Sequence, residues 1–250
     1  MSMNELETEA IVVASREYRE RDLLVTLLTP QGKQGVNARG TLKIDSRNAA
    51  ALQLCTKGIY RLSCSGTLAS LKQAVIMESY PKLKRSLLGT AMAQVLCEIA
   101  DQAQDDPACF TLLDGALTDM EQSGDLYSAP CVFINRMCAL AGIAPMVDGC
   151  ARCGRKDEIS SLSLRQGGFL CRFCAAALHE PRWEKEKLRR FRLIAHADMD
   201  KLAILREHIR CDLDDLQHIL SFYREYSGVS IRGAVFLKTA AALEKTHERR

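Results

Sequence analysis

The chain has 250 residues, a formal net charge of +3, 47% hydrophobic and 26% charged residues, the proportions of an ordinary globular protein with room for two domains and a small metal module. No run of about 18 apolar residues exists, so no transmembrane helix and no membrane partner is expected. Glu5, Glu7 and Glu9 stand where a secretory signal would be basic. Eleven cysteines in a chain this long, an odd count without a signal, fit the reducing cytoplasm better than a secreted disulfide scaffold.

Residues 1–80 read as all-β. Ala10–Val13 and Leu23–Leu28 are strands, and Gly32-Lys33 turns into a third at Gln34–Arg39. Ile59–Cys64, a Ser65-Gly66 turn and Leu68–Met77 follow. Five short strands with one interruption predict a small closed barrel, either an OB-fold or an SH3-like barrel, with a short helix over Asp45–Leu54.

From Pro81 the apolar period becomes helical. Leu88, Met92, Val95, Leu96 and Ile99 form one stripe. Asp106-Pro107 is a cap followed by proline at the first helical position, and Cys109, Leu113, Ala116, Leu117 and Met120 are the apolar face behind it. A third helix starts near Ser128-Ala129-Pro130, buries Phe133, Met137, Leu140 and Ala141, and stops at Gly142 and Pro145. Three further stripes are Leu188, Phe191 and Ile194; Leu213, Leu216, Leu220 and Tyr223 behind the cap Asp212; and Phe236, Leu237, Ala240 and Leu243. The predicted fold class is therefore α+β. A β-barrel over 1–80 precedes an all-helical domain over 81–250, into which a four-cysteine module over 148–178 is inserted.

That module reads C-x2-C, seventeen residues, C-x2-C: Cys150, Cys153, Cys171 and Cys174. Two residues between cysteines let one tight turn aim both sulfurs at one ion, and the spacing is that of structural zinc ribbons. Gly154 supplies the positive φ such a turn needs, and Gln166-Gly167-Gly168 can turn the chain back into Phe169-Leu170-Cys171 as a hairpin. Four thiolates leave a zinc ion no open position for water, so the metal is expected to be structural.

Catalytic patterns are missing. There is no G-x-x-x-x-G-K-[ST], no G-x-G-x-x-G, no H-E-x-x-H, and no H-x-E upstream of P-C-x-x-C. Five scattered histidines make no triad, so a binding protein rather than an enzyme is expected.

Charge is unevenly placed: +2 over residues 1–80, −5 over 81–149 and +6 over 150–250. Basic ends around an acidic middle place any polyanion at the ends. In the barrel, Lys33, Arg39, Lys43 and Arg47 lie close in sequence, with Arg16 in the first hairpin. On an OB-fold such side chains can track a nucleic-acid backbone; the same run also fits a solvated loop. A second cluster includes Arg189 and Arg190, diluted by Glu184 and Glu186, and also fits an ordinary charged helix face.

The order of parts resembles the RecO family of bacterial recombination-mediator and DNA-repair proteins. The N-terminal match is Glu9-Ala10-Ile11-Val12, Arg16, Tyr18, Glu20, Asp22-Leu23, Val25 to Thr29, Gly32-Lys33 and Ala38-Arg39-Gly40. The second is Phe133, Leu140 to Pro145, Asp148 and the cysteine pairs with Gly154 and Gly167-Gly168 between them. The resemblance implies an N-terminal OB-fold and a helical domain carrying zinc. It implies binding of single- and double-stranded DNA, annealing of complementary strands, and a cytoplasmic, nucleoid-associated location. It also implies partnership with RecR and with the acidic, apolar tail of the single-strand-binding protein SSB, so that RecA can load. By matching position Lys33 and Arg39, then Arg16, are the expected DNA contacts, and Lys33→Glu with Arg39→Glu is expected to weaken binding. Where the family often has a basic pair after A-R-G, this chain has Lys43-Ile44-Asp45. The SSB dock is expected to be an apolar pocket rimmed by Arg or Lys, with Arg136 the candidate. Two other readings stay open: a zinc-ribbon nucleic-acid factor of transcription or translation, and an interaction scaffold that binds no DNA.

Overall fold

Five strands close into a barrel because alternate apolar positions such as Ala10 and Val12, Val25 and Leu27, Val36 and Ala38, and Tyr60 and Leu62 meet in one core, and the first strand is long enough to pair on both edges. A computed structural model describes residues 4–43, 46–64 and 68–247. β1 (Asn4–Tyr18) pairs antiparallel with β2 (Asp22–Thr29) and with β4 (Lys57–Cys64). β3 (Gly32–Ala38) pairs with β2 and runs parallel to β5 (Ala69–Glu78), which closes back on β4. The order β1-β2-β3-β5-β4 is that of an OB-fold, which decides between the two barrels the pattern allowed. A bulge between Val12 and Ala14 breaks the β1–β2 register, the kind of irregularity that bends a strand. Ala10, Val12, Val25, Leu27, Val36 and Leu62 fill the barrel, and the buried Tyr60 hydroxyl donates to the Ala51 carbonyl at 2.7 Å.

The helix expected over Asp45–Leu54 is only a 3-10 turn at Ala50–Leu52. Residues 44 and 45 and the Ser65-Gly66 turn lie outside the described residues. Beyond the barrel come α1 (Pro81–Arg85), α2 (Leu87–Gln102) and α3 (Pro107–Ser123). The Asp106 carboxylate accepts from the Ala108 N–H at 2.8 Å, the cap that Asp-Pro foreshadows. Contacts group residues 1–124 with 231–250, where α9 (Gly233–His247) packs on α2. The Glu244 carboxylate accepts from the Ser86 hydroxyl and the Leu88 N–H, tying α9 to the start of α2.

Residues 125–230 form the other unit. Its helices are α4 (Ser128–Leu140), α5 (Arg172–Ala177), α6 (Lys185–His196), α7 (Leu202–His208) and α8 (Leu213–Ser227), with a two-stranded sheet of β6 (Ile159–Ser163) and β7 (Gly168–Cys171). α4 packs against α6, α7 and α8. Asp212 caps α8 in a reciprocal box with Asp215. Some expected core positions lie outside: Leu140 and Ala141 are exposed, because α4 ends at its last turn there, and so are Phe236 and Leu243 on α9. Their places are taken by Ile134 and Cys138 on α4 and by Ala241 on α9. No helix among the described residues is long and apolar enough to cross a membrane.

Candidate metal centre and nucleic-acid interface

The β6–β7 hairpin brings the two cysteine pairs together. The Arg172 N–H donates to the Glu158 carbonyl and the Ala151 N–H to the Phe169 carbonyl, which seats each C-x2-C turn against the small sheet. Gly154, at φ +73°, lets the first turn reverse, and the Cys150 N–H then reaches the Arg155 carbonyl at 2.7 Å. The four Sγ atoms lie within 4.8 Å of one another. Cys153 and Cys171 sulfurs are 3.8 Å apart, far beyond a disulfide's roughly 2.0 Å. A tetrahedral site with metal–sulfur bonds of about 2.3 Å has edges of about 3.8 Å, so the set could hold one soft divalent ion. Burial works to raise the Cys150 thiol, but hydrogen bonds from the backbone at Cys171, Cys153 and Arg152 outweigh it and bring the thiol down to about 6. Cys174 moves the other way, up to about 12, through burial and hydrogen bonds to Cys153, Cys171 and Cys150, so the four sulfurs share their protons and the thiolate is favoured at Cys150.

In the barrel, β1 to β3 carry a groove of about 370 Å³, lined by Arg16, Leu24, Thr26, Gly35, Leu68 and the acidic Asp101 among others. At the same end, the Gly40 N–H donates to Asp22 at 2.8 Å and the Leu42 N–H to the Arg21 carbonyl at 3.1 Å. These bonds pin the loop after β3 against the β1–β2 turn. Arg39, Lys43 and Arg47 in that loop, like Arg16, are exposed and form no ion pair among the described residues. Tyr18 is exposed beside them, with the Arg19 guanidinium 5.1 Å from its ring centre.

Profiles of two families match the chain in order: "Recombination protein O N terminal" over residues 1–80 and "Recombination protein O C terminal" over 82–232. The chain belongs to the RecO family. Among its relatives is the DNA repair protein RecO of Listeria monocytogenes, 30% identical over 249 residues that cover 92% of each chain. Those of Listeria innocua, 29% identical over 242 residues and 92% of each chain, and of Bacillus pumilus, 28% over 246 residues and 96% of each, are similar.

In this RecO-family chain the expected cationic residues separate into two groups. Arg16, Arg39, Lys43 and Arg47 are open to solvent and form no ion pair among the described residues. Lys33 is not: its Nζ donates to the carbonyls of Asp101 at 2.8 Å and Ala103 at 2.6 Å, with Asp105 at 3.8 Å, and its side chain is 21% exposed. It thus caps the carbonyl end of α2, where a cation is favoured by the helix dipole. Arg190 is held by Asp212, Asp215 and the Arg210 carbonyl, and these acids keep its guanidinium protonated well above its ordinary range. Arg189 pairs with Glu186 at 3.0 Å, and Arg136 with Asp198 at 3.1 Å.

Sequence reasoning missed a groove of about 630 Å³ beside α6. Its floor is Val147, Ile159, Phe169, Leu188 and Leu193, and its rim carries Lys156, Lys185, Arg189 and Arg192 along with Asp148 and Glu158. Arg136 is not among its lining residues. The rim basics on α6 are visible as i, i+4 and i+7 in the sequence, but the apolar floor is assembled from four segments, the loop at Val147, β6, β7 and α6.

Proposed function

We propose that the chain is a recombination mediator. It binds single- and double-stranded DNA, anneals complementary strands and, with RecR, helps RecA load onto SSB-coated single strands. The observation that carries this is the OB barrel, where Arg16, Arg39, Lys43 and Arg47 are exposed and form no ion pair among the described residues. Unpaired cations can release counterions from a phosphate backbone, which is the main source of sequence-independent affinity. The exposed Tyr18 adds one stacking ring. An annealing protein must screen two backbones while leaving base edges free, and contacts of this kind do so. The working place would be the cytoplasm, on the nucleoid.

The groove beside α6 suits the SSB tail, because an acidic, apolar segment finds both an apolar floor and Lys185 and Arg189 at its edge. Zinc is the ion we propose for the four cysteines. It would crosslink two short segments and leave no coordination position for catalysis, in keeping with a binding protein.

The test is fluorescence-based annealing of two complementary oligonucleotides at two salt concentrations, with naked and SSB-coated strands. Acceleration that survives coating is expected. No acceleration with sequence-selective binding would favour a zinc-ribbon factor instead. No binding even at low salt would favour a scaffold. Elemental analysis of the purified protein should find one zinc per chain, and Cys150→Ser with Cys153→Ser should abolish it.

A further inference from the structure

The C-x2-C turns have a consequence beyond holding an ion. Each turn aims two sulfurs inward, so its two intervening residues are thrown outward. In the first turn these are Ala151 and Arg152; in the second they are Arg172 and Phe173. Arg152 and Arg172 are exposed, and Phe173 is 52% exposed. An exposed phenyl ring on a turn this tight has no core to enter. Two guanidiniums lie over it instead, Arg172 at 4.6 Å and Arg155 at 5.0 Å from the ring centre. Glu158 fixes both, at 3.0 Å from Arg172 and 3.4 Å from Arg155. One carboxylate thus holds both planar cations close to the same ring. Arg152 and Lys156, in the same stretch of chain, are exposed and form no ion pair among the described residues. Four cations face two acids, Asp157 and Glu158, so the patch stays positive.

We propose that this outer face of the four-cysteine module is a contact for single-stranded nucleic acid, in which a base stacks on Phe173 and the guanidinium planes while Arg152 and Lys156 meet phosphates. The proposal rests on the nucleic-acid reading above and adds a site to it. The ligand class follows from the chemistry. Unpaired bases stack on aromatic rings and on arginine planes, and their backbone supplies the negative charge. A duplex keeps its bases stacked on one another and cannot use the ring. An acidic peptide would satisfy the cations but leave the planar surface unused.

The experiment uses the full-length, metal-loaded protein and oligo-dT carrying 5-iodouracil. Irradiation should crosslink the peptide that contains Phe173. Phe173→Leu, which keeps an apolar side chain but removes the π face, should weaken oligo-dT binding about tenfold, within the range for loss of one stacked base. Arg152→Glu with Lys156→Glu should flatten the salt slope, by about 0.7 per lost phosphate contact. Zinc content and circular dichroism identical to wild type show that each variant is folded. The proposal is overturned if crosslinks map only to the barrel and Phe173→Leu binds as wild type, while Arg16→Glu with Arg39→Glu loses binding; the mediator reading then stands. If the wild-type protein binds no oligo-dT at low salt, both readings fall together.

Discussion

A lysine in a basic run can serve a ligand or the fold, and the partners of its ammonium group decide which. Lys33 sits on two carbonyls at the end of α2, with Asp105 close by. Lys33→Met keeps most of the aliphatic stem and leaves those carbonyls with water alone. Charge-assisted hydrogen bonds are worth about 1.5–3 kcal/mol, and partial exposure puts the loss at the lower end, about 1–2 kcal/mol. Urea unfolding should show that loss, while the salt slope of DNA binding should match wild type. A wild-type urea midpoint with a reduced slope would restore Lys33 to the interface. The paired charge reversal expected from sequence to weaken binding would therefore mix two effects, and Arg39→Glu alone is the cleaner probe. Asp125 offers a second test. Burial raises its carboxyl, but the Ser128 hydroxyl, Arg206 and the N–H groups of Tyr127 and Ser128 outweigh it and leave the group below its ordinary value of 3.8. A lowered folded value means stability that is present above about pH 4 and disappears as pH falls through the folded value. Asp125→Asn should lower the urea midpoint at pH 7 and flatten the acid limb below pH 4. An unchanged acid limb would show that other carboxylates set it.

At the scale of elements, what could be read early was whatever is local. The C-x2-C spacing, Gly154, the Asp106 and Asp212 caps and the β6–β7 turn are each decided within a few residues of chain, and the structure bears them out. The role of Lys33 is not local, because its partners lie about 70 residues away in α2. The bonds from Arg190 to Asp215 likewise join two helices, and nothing in either helix alone signals them. The end of α4 illustrates the same limit: the 3.6-residue period continues through Leu140, but no neighbour covers it. The hairpin in the cysteine module gives the sharpest element-level test. At Gly168 an added Cβ would sit 2.2 Å from the Met146 carbonyl oxygen, a backbone atom with no room to yield. Met146 also bridges to Gly168 and accepts the Phe169 N–H at 2.8 Å. Gly168→Ala should therefore separate Met146 from β7 and tilt Cys171 away from the other three sulfurs. Metal content should fall, and resistance to a chelator should fall with it. Full metal retention would mean that Met146 gives way without disturbing the four sulfurs.

At the scale of the whole molecule, exposed cations that form no ion pair among the described residues lie in both compact units: Arg16, Arg39, Lys43 and Arg47 in the barrel unit, and Arg152 and Lys156 in the other. Annealing needs two strands held at once, whereas binding needs one. If each unit holds a strand, reversing charge in one unit leaves the other able to bind. Arg39→Glu with Lys43→Glu should then lower single-strand affinity modestly, since the contacts of the other unit remain, yet reduce annealing far more. Reversing both units together should remove binding as well. The measurement is the ratio of annealing rate to oligonucleotide affinity for each variant at one salt concentration, because counterion release changes affinity steeply with salt. A ratio that stays constant across the variants would mean that one surface serves both strands in turn. A ratio that drops for either single-unit variant, and for both alike, is the outcome two independent strand-holding surfaces require.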